Sequence, residues 1–228
     1  MTLLTLLSIM AMSRVTGDGK AGPIRVYSKN LWHGNAKVAA LAADITDATP
    51  DIVFLQEVSE TNGDLLSVLR SQLSYQARCP WQGWNGMAIL SRWPLSRDTT
   101  RCSPERSLMA VRVMKADGPF WAVGVHLQQP WPDVQWEHLE SAFPTLSGIE
   151  DGAVVAGDFN TVPWSAAARK IGQLTNTKVV PPELTTFNLW GVGLPLDQVW
   201  TLGGKARLRP LLGSDHHGVV AEVWPSKI

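Results

Sequence analysis

The stretch Ala-Val-Val-Ala-Gly-Asp-Phe-Asn, residues 153–160, passes from four apolar residues to a Gly, an Asp and an Asn. Its apolar part predicts a strand that runs into Gly157-Asp158. If the segment stays extended, Asp158 and Asn160 point to the same side, because side chains alternate along a strand. Asp158 could then accept a proton from water while Asn160 donates to water or phosphate. The alternative is an ordinary Asp-Asn turn.

Two more polar residues follow apolar runs. Glu57 comes after the run at 52–55 and Gln56. A carboxylate directly after a buried strand must find a cation, a donor or water. We therefore predict that Glu57 is a Mg²⁺ ligand, with a helix cap or a surface ion pair as the alternative. His126 ends the run at 120–125. A lone His there is more often structural, but the company of other polar strand ends favours a catalytic role.

A third polar group, Ser214-Asp215-His216, precedes the last apolar run at 219–223. Adjacent side chains on a strand point in opposite directions, so Asp215 and His216 should serve different partners. Asp215 is predicted to reach a metal ion, and His216 to donate to a phosphoryl oxygen. Asp197 lies among apolar residues and needs a partner. We predict that it fixes the tautomer of His216 and favours its charged form.

Three asparagines complete the predicted site. Asn30, after the first strand, is predicted to contact phosphate or a metal-bound water, and so to serve metal and substrate alike. Asn85, just before Gly86, is predicted to contact substrate, as is Asn160. The remaining histidines are interpreted as lying outside the reacting group: His33 and His138 in solvent, and His217 at the surface or in a supporting position.

The remaining pattern mixes helices and strands. Strands are predicted at residues 24–28, 52–55, 87–90, 108–113, 120–125, 153–156, 196–200 and 219–223. Helices are predicted at residues 35–48, 64–73, 133 to about 144, and from 163 onward. Because the two do not alternate strictly, the order favours an α/β fold of layered mixed sheets with outer helices over a doubly wound sheet.

Length and composition fit a single domain. The chain has 228 residues, of which 45% are hydrophobic, enough for one sizeable core. We assign residues 1–23 to an apolar N-terminal segment and linker, and residues 24–228 to the domain. The apolar run within residues 1–12 is too short to span a bilayer, and no Lys or Arg precedes it as in a signal peptide. We expect a periplasmic or secreted location, with a cytoplasmic one as the alternative.

The arginine-rich stretch, the two cysteines and the tryptophans each allow two interpretations. Lys and Arg together number 20, as do Asp and Glu, so no global basic field holds nucleic acid. The arginines between 92 and 112 could form a local phosphate track or a solvated strand face. Cys79 and Cys102 either form a disulfide in an oxidising compartment or are two buried thiols. The 11 Trp residues anchor loops over the core, or form a rim for base stacking or membrane contact.

The polar strand ends, in their order along the chain, resemble the endonuclease/exonuclease/phosphatase superfamily over about residues 24–224. The residues that carry the resemblance are Asn30, Gln56-Glu57, His126, Gly157-Asp158-Phe159-Asn160, Asp197 and Ser214-Asp215-His216. The resemblance implies a four-layer α/β sandwich with two mixed, mainly antiparallel β-sheets flanked by helices. It also implies hydrolysis of phosphate esters with one or two Mg²⁺ or Mn²⁺ ions. Within the superfamily, the chain is most similar to bacterial members that are exported or anchored to a membrane.

The roles that the resemblance implies are those given above, with His126 as a second phosphate-contacting histidine. Lys29, Leu196 and His217 stand where the family commonly carries other residues. Among substrates we expect DNA, cut by a compact endonuclease, because the chain has little spare length for a lipid-inserting hairpin. A phospholipase C- or sphingomyelinase-type enzyme acting on phospholipid is the first alternative, and a sugar- or inositol-phosphate phosphatase the second.

A protein of a different class, a binding module without catalysis, must also be weighed. The filled catalytic positions argue against it. No obligate protein partner is implied, and we expect a monomer.

Overall fold

The computed structural model describes residues 22–79, 86–131, 134–149 and 152–225. The strands are β1 Ile24–Asn30, β2 Ile52–Gln56, β3 Tyr75–Cys79, β4 Met87–Ser91, β5 Leu95–Cys102, β6 Leu108–Val113, β7 Phe120–His126, β8 Ala153–Asp158, β9 Lys178–Val179, β10 Phe187–Leu189, β11 Val192–Leu194, β12 Asp197–Thr201, β13 Gly204–Arg209 and β14 Gly218–Val223. The helices are α1 Val38–Ala48, α2 Asp64–Val68, α3 Val134–Ala142 and α4 Ala166–Leu174, with short 3-10 helices at Leu69–Ser71 and Phe143–Leu146.

Twelve of the strands form two mixed sheets of six. The first sheet has the order β13-β14-β1-β2-β4-β3, and the second β5-β6-β7-β8-β12-β9. β10 and β11 form a separate hairpin. In each sheet one central pair is parallel, β1 with β2 and β7 with β8, while the other pairs are antiparallel. The prediction of two mixed, mainly antiparallel sheets is confirmed.

Three apolar clusters separate four layers. The inner faces of the two sheets pack against each other through side chains such as Phe54 and Val154. The outer face of the first sheet packs on α1 and α2, where Leu41 and Leu65 contribute. The outer face of the second sheet packs on α3 and α4, with Ile171 buried there. The four-layer α/β sandwich is therefore confirmed.

The strand directions bring polar residues to one end of this sandwich. Asn30 of β1 pairs with Gln56 of β2, so Glu57 emerges beside Asn30. In the second sheet, Asp158 of β8 lies between His126 of β7 and Asp197 of β12. In each sheet, the two strands of the parallel pair end at the same edge, so the residues at their carboxyl ends lie side by side. Such an edge is a rigid scaffold that can hold functional groups.

The structure corrects two predicted helices. The first begins at Val38 rather than at Asn35. Asn35, predicted to cap this helix, lies two residues before the N-cap Lys37: its Oδ1 accepts from Lys37 N at 3.0 Å, and its side-chain amide donates to Leu31 O and Leu212 O. The second ends at Val68 and tightens into a 3-10 turn, short of the predicted Leu73.

The edge strands β3, β5, β9 and β13 were not predicted. Edge strands carry charged and polar residues that discourage pairing with other chains, so they lack the apolar runs by which strands are recognised. Two of these edges are linked covalently, because Cys79 at the end of β3 and Cys102 at the end of β5 form a disulfide with a Cα–Cα distance of 5.7 Å. Of the two alternatives for these cysteines, the structure has the disulfide.

Within the described ranges, no helix is both long enough and apolar enough to cross a membrane. The apolar segment predicted within residues 1–12 lies outside the described residues.

Candidate active site

The polar end of the sandwich opens into a cleft of about 540 Å³. Seven predicted site residues line it, and Asp197 lies directly behind them, bonded to His216. We call this set of eight the floor: Asn30, Glu57, His126, Asp158, Asn160, Asp197, Asp215 and His216. The structure thus brings together every predicted site residue except Asn85, which lies outside the described residues.

Asp158 is the buried centre of the floor. Its side chain is inaccessible to solvent, yet both oxygens have partners. Oδ1 accepts from the backbone N–H of Asn160 at 2.8 Å, and Oδ2 accepts from the side-chain amide of Asn30 at 3.1 Å. Asn160 in turn donates its amide to Leu127 O at 2.8 Å. The segment thus does not stay extended: β8 ends at Asp158, Asn160 has a φ of 47°, and its N–H closes the turn that was the alternative. These bonds fix the orientation of both side chains, as a base and its partner require.

His216 lies between two carboxylates. Its Nδ1 is 2.7 Å from Asp197 Oδ2, and its Nε2 is 3.7 Å from Asp158 Oδ2. The ring also contacts Phe187, with 4.8 Å between centroids. The Asp197 bond fixes the ring orientation and presents Nε2 to the cleft, the arrangement predicted for a proton donor.

These carboxylates set the protonation of the floor. Burial alone would lower the pKa of His216, but the negative charges of Asp197 and Asp158 outweigh it and raise that pKa to about 10. His216 is therefore an imidazolium at neutral pH. Burial also raises the pKa of Asp158, although the positive charge of His216 opposes this. A carboxylate whose pKa is raised is a stronger base than an ordinary one.

Glu57 borders the cleft on the side of the first sheet. Its Oε1 accepts from the amide of Asn30 at 2.9 Å and lies 3.8 Å from Nε2 of His126. Burial opposes its charged form, but His126, Asn30 and His33 favour it more strongly, so the pKa of Glu57 is lowered. Glu57 is thus an anion held at the cleft, as a cation ligand must be.

His33 is exposed, as predicted, but it contacts a site residue, which the sequence did not predict. Its backbone N–H and its Nδ1 both contact Glu57 Oε2 at 3.0 Å. No motif marked His33, and the signal was only its position three residues after Asn30. Glu57 itself has a φ of 55°, a left-handed conformation that is uncommon for a residue other than Gly. Backbone outliers of this kind concentrate at functional sites.

The structure explains why the motif at 157–160 begins with a glycine, Gly157. Its φ is 150°, and a Cβ added there would lie 1.9 Å from the carbonyl oxygen of Val125. β7 and β8 can therefore approach each other at this point because residue 157 has no side chain. The close approach sets the position of Asp158 beside His126.

Lys29, one of the departures from the family pattern, supports the floor from behind. Its side chain is fully buried, and Nζ donates to His216 O at 2.7 Å and to Pro210 O at 3.3 Å. Burial lowers the pKa of this lysine to about 8, against the opposing effect of Asp197. Ser214 adds a second link, because its hydroxyl donates to Asn30 O and accepts from the N–H of His216.

The donor set fits a hard divalent cation. Glu57 and Asp215 both line the cleft, and carboxylate oxygens are the ligands that such ions prefer. Asn30 presents its amide nitrogen to Glu57 and Asp158, while its oxygen accepts from Trp32 N. In this arrangement Asn30 orients the carboxylates. The group of potential ligands whose atoms lie within 4.8 Å of one another, among the described residues, is Asp158, Asp197 and His216; here the His216 ring is held between the two carboxylates.

The arginine-rich stretch does not line the cleft. Arg92 pairs with Asp51, at the far end of β2 from Glu57. Arg101 and Arg112 both pack over the ring of Trp121, at the start of β7. Of the two alternatives for this stretch, these three contacts favour a strand face over a phosphate track.

The rest of the cleft is mainly apolar, with Gln128 and Gln129 as its other polar lining residues. Its wall is formed by the loop after β7 and by the β10–β11 hairpin. The apolar lining residues are Leu127, Pro130, Trp131, Phe187, Leu189, Leu194 and Leu196. None of the described residues that line the cleft is Lys or Arg.

Comparison with protein-family models identifies the class. The model of the Endonuclease/Exonuclease/phosphatase family matches residues 27–226. The chain therefore belongs to this family, and so to a group of hydrolases that act on phosphoric esters. A search of curated proteins found no match.

Solved structures with the same fold differ in what their names describe. Sphingomyelinase C from Streptomyces griseocarneus is 15% identical, with a TM-score of 0.65, and the match covers 89% of this chain and 100% of that one. A 3′ phosphatase from Neisseria, bound to a product DNA hairpin, is 17% identical with a TM-score of 0.68, over 87% and 98% of the chains. A beta toxin variant from Staphylococcus aureus with bound magnesium ions is 12% identical with a TM-score of 0.65, over 90% and 100%. At these identities the likeness shows the fold.

Proposed function

We propose that this protein is a divalent-metal-dependent phosphodiesterase that hydrolyses its substrate by in-line attack of water. The observation that carries the proposal is the buried His216, held between Asp197 and Asp158 on the floor of a cleft that Glu57 also borders. A structural core has no need of this arrangement, because burying three ionisable side chains side by side costs free energy.

Each floor residue has a chemical task in this proposal. Asp158 takes a proton from the attacking water, while Asn160 orients that water. His216, held by Asp197, donates its Nε2 proton to the developing negative charge on the phosphoryl group. His126 supplies a second donor from the other side of Asp158. Fixed donors aimed at developing charge are the largest single source of rate enhancement in many enzymes.

Glu57 and Asp215 would hold the metal, with Asn30 orienting Glu57. A Mg²⁺ or Mn²⁺ ion held by these residues would supply positive charge to the phosphoryl oxygens and the leaving group. His33 limits the freedom of the Glu57 carboxylate through two contacts at 3.0 Å, and so keeps it facing the cleft.

Two substrate classes are candidates for this phosphodiesterase. DNA cleavage is the prediction from the sequence, and the family name includes nucleases. A lipid phosphodiester is the second candidate, and a specific observation favours it. The described cleft lining combines polar catalytic residues with an apolar wall and has no Lys or Arg, whereas proteins that bind DNA contact its phosphates mainly through those cations. The disulfide supports a periplasmic or secreted location for either activity.

Supercoiled plasmid and vesicles of sphingomyelin and phosphatidylcholine test the proposal side by side. Each is incubated with the protein in Mg²⁺, Mn²⁺ or EDTA, beside the variant Asp158→Ala. We expect cleavage of one substrate that requires metal and falls by about 10²–10⁴ in the variant, the usual loss for a general base. A folded protein that cleaves neither substrate in either metal would contradict the proposal.

A further inference from the structure

The β10–β11 hairpin exposes apolar side chains beside the cleft. Trp190 at its tip is 94% exposed, Val192 61% and Leu189 40%. The hairpin residues Phe187–Leu194 include no charged residue. Trp131, which is 80% exposed, lies in the loop after β7 that borders the same cleft. We call Trp131, Leu189, Trp190 and Val192 the apolar rim.

The tip is built to hold Trp190 outward. Trp190 and Gly191 both have positive φ, 50° and 92°, as the two-residue loops of tight hairpins require. Asn188 Oδ1 accepts from Gly191 N at 2.7 Å and closes the turn. Asn or Gly is the usual residue at the first loop position, and a bulky side chain with positive φ is strained. Trp190 thus costs free energy in two ways: its backbone conformation is strained, and its large apolar side chain is exposed to water.

The described tryptophans differ in exposure: Trp32, Trp136 and Trp164 are also exposed, at 44%, 43% and 61%, but less so than Trp190. Trp93 packs in the core against Phe120, and Trp200 stacks on Phe159. Both anchor loops or strands over the core, which is one of the two roles predicted for these residues. Trp190 has no such role, because almost its whole side chain is in solvent.

We propose that the apolar rim docks on a lipid–water interface, with the cleft facing the bilayer. This inference deepens the proposed function, on which it rests for the substrate class. Trp favours the interfacial region of membranes, where its ring is buried and its N–H stays hydrated. Leu and Val beside it add apolar area that leaves water on docking. A projecting, uncharged tip suits a broad surface better than a groove.

Charge decides between a lipid surface and nucleic acid. A base-stacking surface is normally combined with a positively charged groove that follows the phosphates. The loop at 127–131 and the hairpin at 187–194 include no Lys or Arg, and the formal charge of the chain is zero. The rim therefore matches a neutral surface such as a zwitterionic bilayer, and its binding should be insensitive to salt.

Co-sedimentation with phosphatidylcholine vesicles tests the inference. Full-length protein carrying Asp158→Ala is used without metal, so that binding is measured apart from cleavage. We expect the partition coefficient to fall by about 10- to 100-fold in Trp190→Ala, from the apolar area of one large side chain. Val192→Ser should lower it less, and raising NaCl from about 0.1 to 0.5 M should leave it within about twofold.

Val68→Ser is the matched control, because Val68 is similarly exposed, at 55%, but lies on α2. It should bind vesicles like the parent, and circular dichroism should show all variants folded. Equal binding by the parent and Trp190→Ala, or no binding by the parent, overturns the inference. So does salt-sensitive binding of a single-stranded oligonucleotide that Trp190→Ala abolishes. Self-association that is lost in the same variant would assign the rim to a second copy of the chain.

The two proposals fail separately. Vesicle binding without metal does not depend on turnover, so its loss leaves the phosphodiesterase proposal intact. Hydrolysis of the soluble ester bis(p-nitrophenyl) phosphate does not require an interface, so its absence leaves the docking proposal intact.

Discussion

The floor and the apolar rim border the same cleft but are built in opposite ways. The floor carries most of the ionisable side chains of the cleft, five of its eight residues are buried, and hydrogen bonds of 2.7–3.1 Å link its residues to one another. The rim is uncharged and largely exposed, and its hairpin is closed by one short turn. Chemistry needs groups fixed in place, whereas contact with a surface needs area that is free to meet it. Under the two proposals above, the floor therefore determines the reaction type and the rim the substrate class.

The largest expected effect separates two neighbouring histidines. His216→Gln should lower kcat by about 10²–10³, the usual loss of one donor to a transition state. His217→Gln should leave kcat within about twofold of the parent, because His217 contacts Arg209 O and does not line the cleft. Steady-state rates on a soluble phosphodiester measure both. Similar losses of kcat in the two variants would contradict the claim that His216 of the floor acts in catalysis while the neighbouring His217 does not.

A second prediction compares two glycines with positive φ: Gly157, which precedes Asp158 of the floor, and Gly191, which follows Trp190 of the rim. Gly157→Ala should destabilise the fold by about 2–4 kcal/mol, because its Cβ would overlap the backbone of Val125. Gly191→Ala at the hairpin tip should cost about 1 kcal/mol, since nothing lies within 4 Å of its Cβ and only the φ preference is lost. Urea unfolding gives both values. Equal costs would mean that the floor is no more rigid than the rim.

The third and smallest effect is a shift in pH dependence. His216 loses its proton as pH rises through about 10, so turnover should fall above that pH. Asp197→Asn removes the carboxylate that most raises this pKa, and should move the alkaline limb down by about 1–3 pH units. Because the folded pKa lies above the ordinary value of 6.5, the stability that this proton contributes is fully present below 6.5 and lost through about pH 10.

The pH–rate profile of the two proteins measures the shift, and the pH dependence of the melting temperature should change in the same direction. An unchanged alkaline limb in Asp197→Asn would show that another group controls it.

Much of the floor was predictable because its residues follow apolar strands. Asp158 and His126 sit at the ends of runs that identify central strands, and the meeting of these ends follows from sheet geometry. His33 was not predictable, since it reaches Glu57 by a loop contact that leaves no periodic signal. The four edge strands were missed because their charged and polar residues obscure the strand pattern.

The rim was the least predictable region. The sequence predicted no strand at 187–194, so Trp190 had no place in the expected fold. A tight loop is usually recognised by Asn or Gly at its first central position, and here that position carries Trp. The expectation that the chain has little spare length for a lipid-inserting hairpin stays a prediction; the β10–β11 hairpin itself spans eight residues, 187–194.

The metal dependence of Glu57→Gln tests the central account most directly. Turnover of bis(p-nitrophenyl) phosphate is measured against Mn²⁺ concentration for the parent, for Glu57→Gln, and for Glu60→Gln, whose carboxylate is exposed three residues away. We predict that Glu57→Gln needs about tenfold more metal, or a greater excess, for half-maximal rate. Glu60→Gln should follow the parent curve. A parent rate that persists in EDTA, or an unchanged metal curve in Glu57→Gln, would contradict the account.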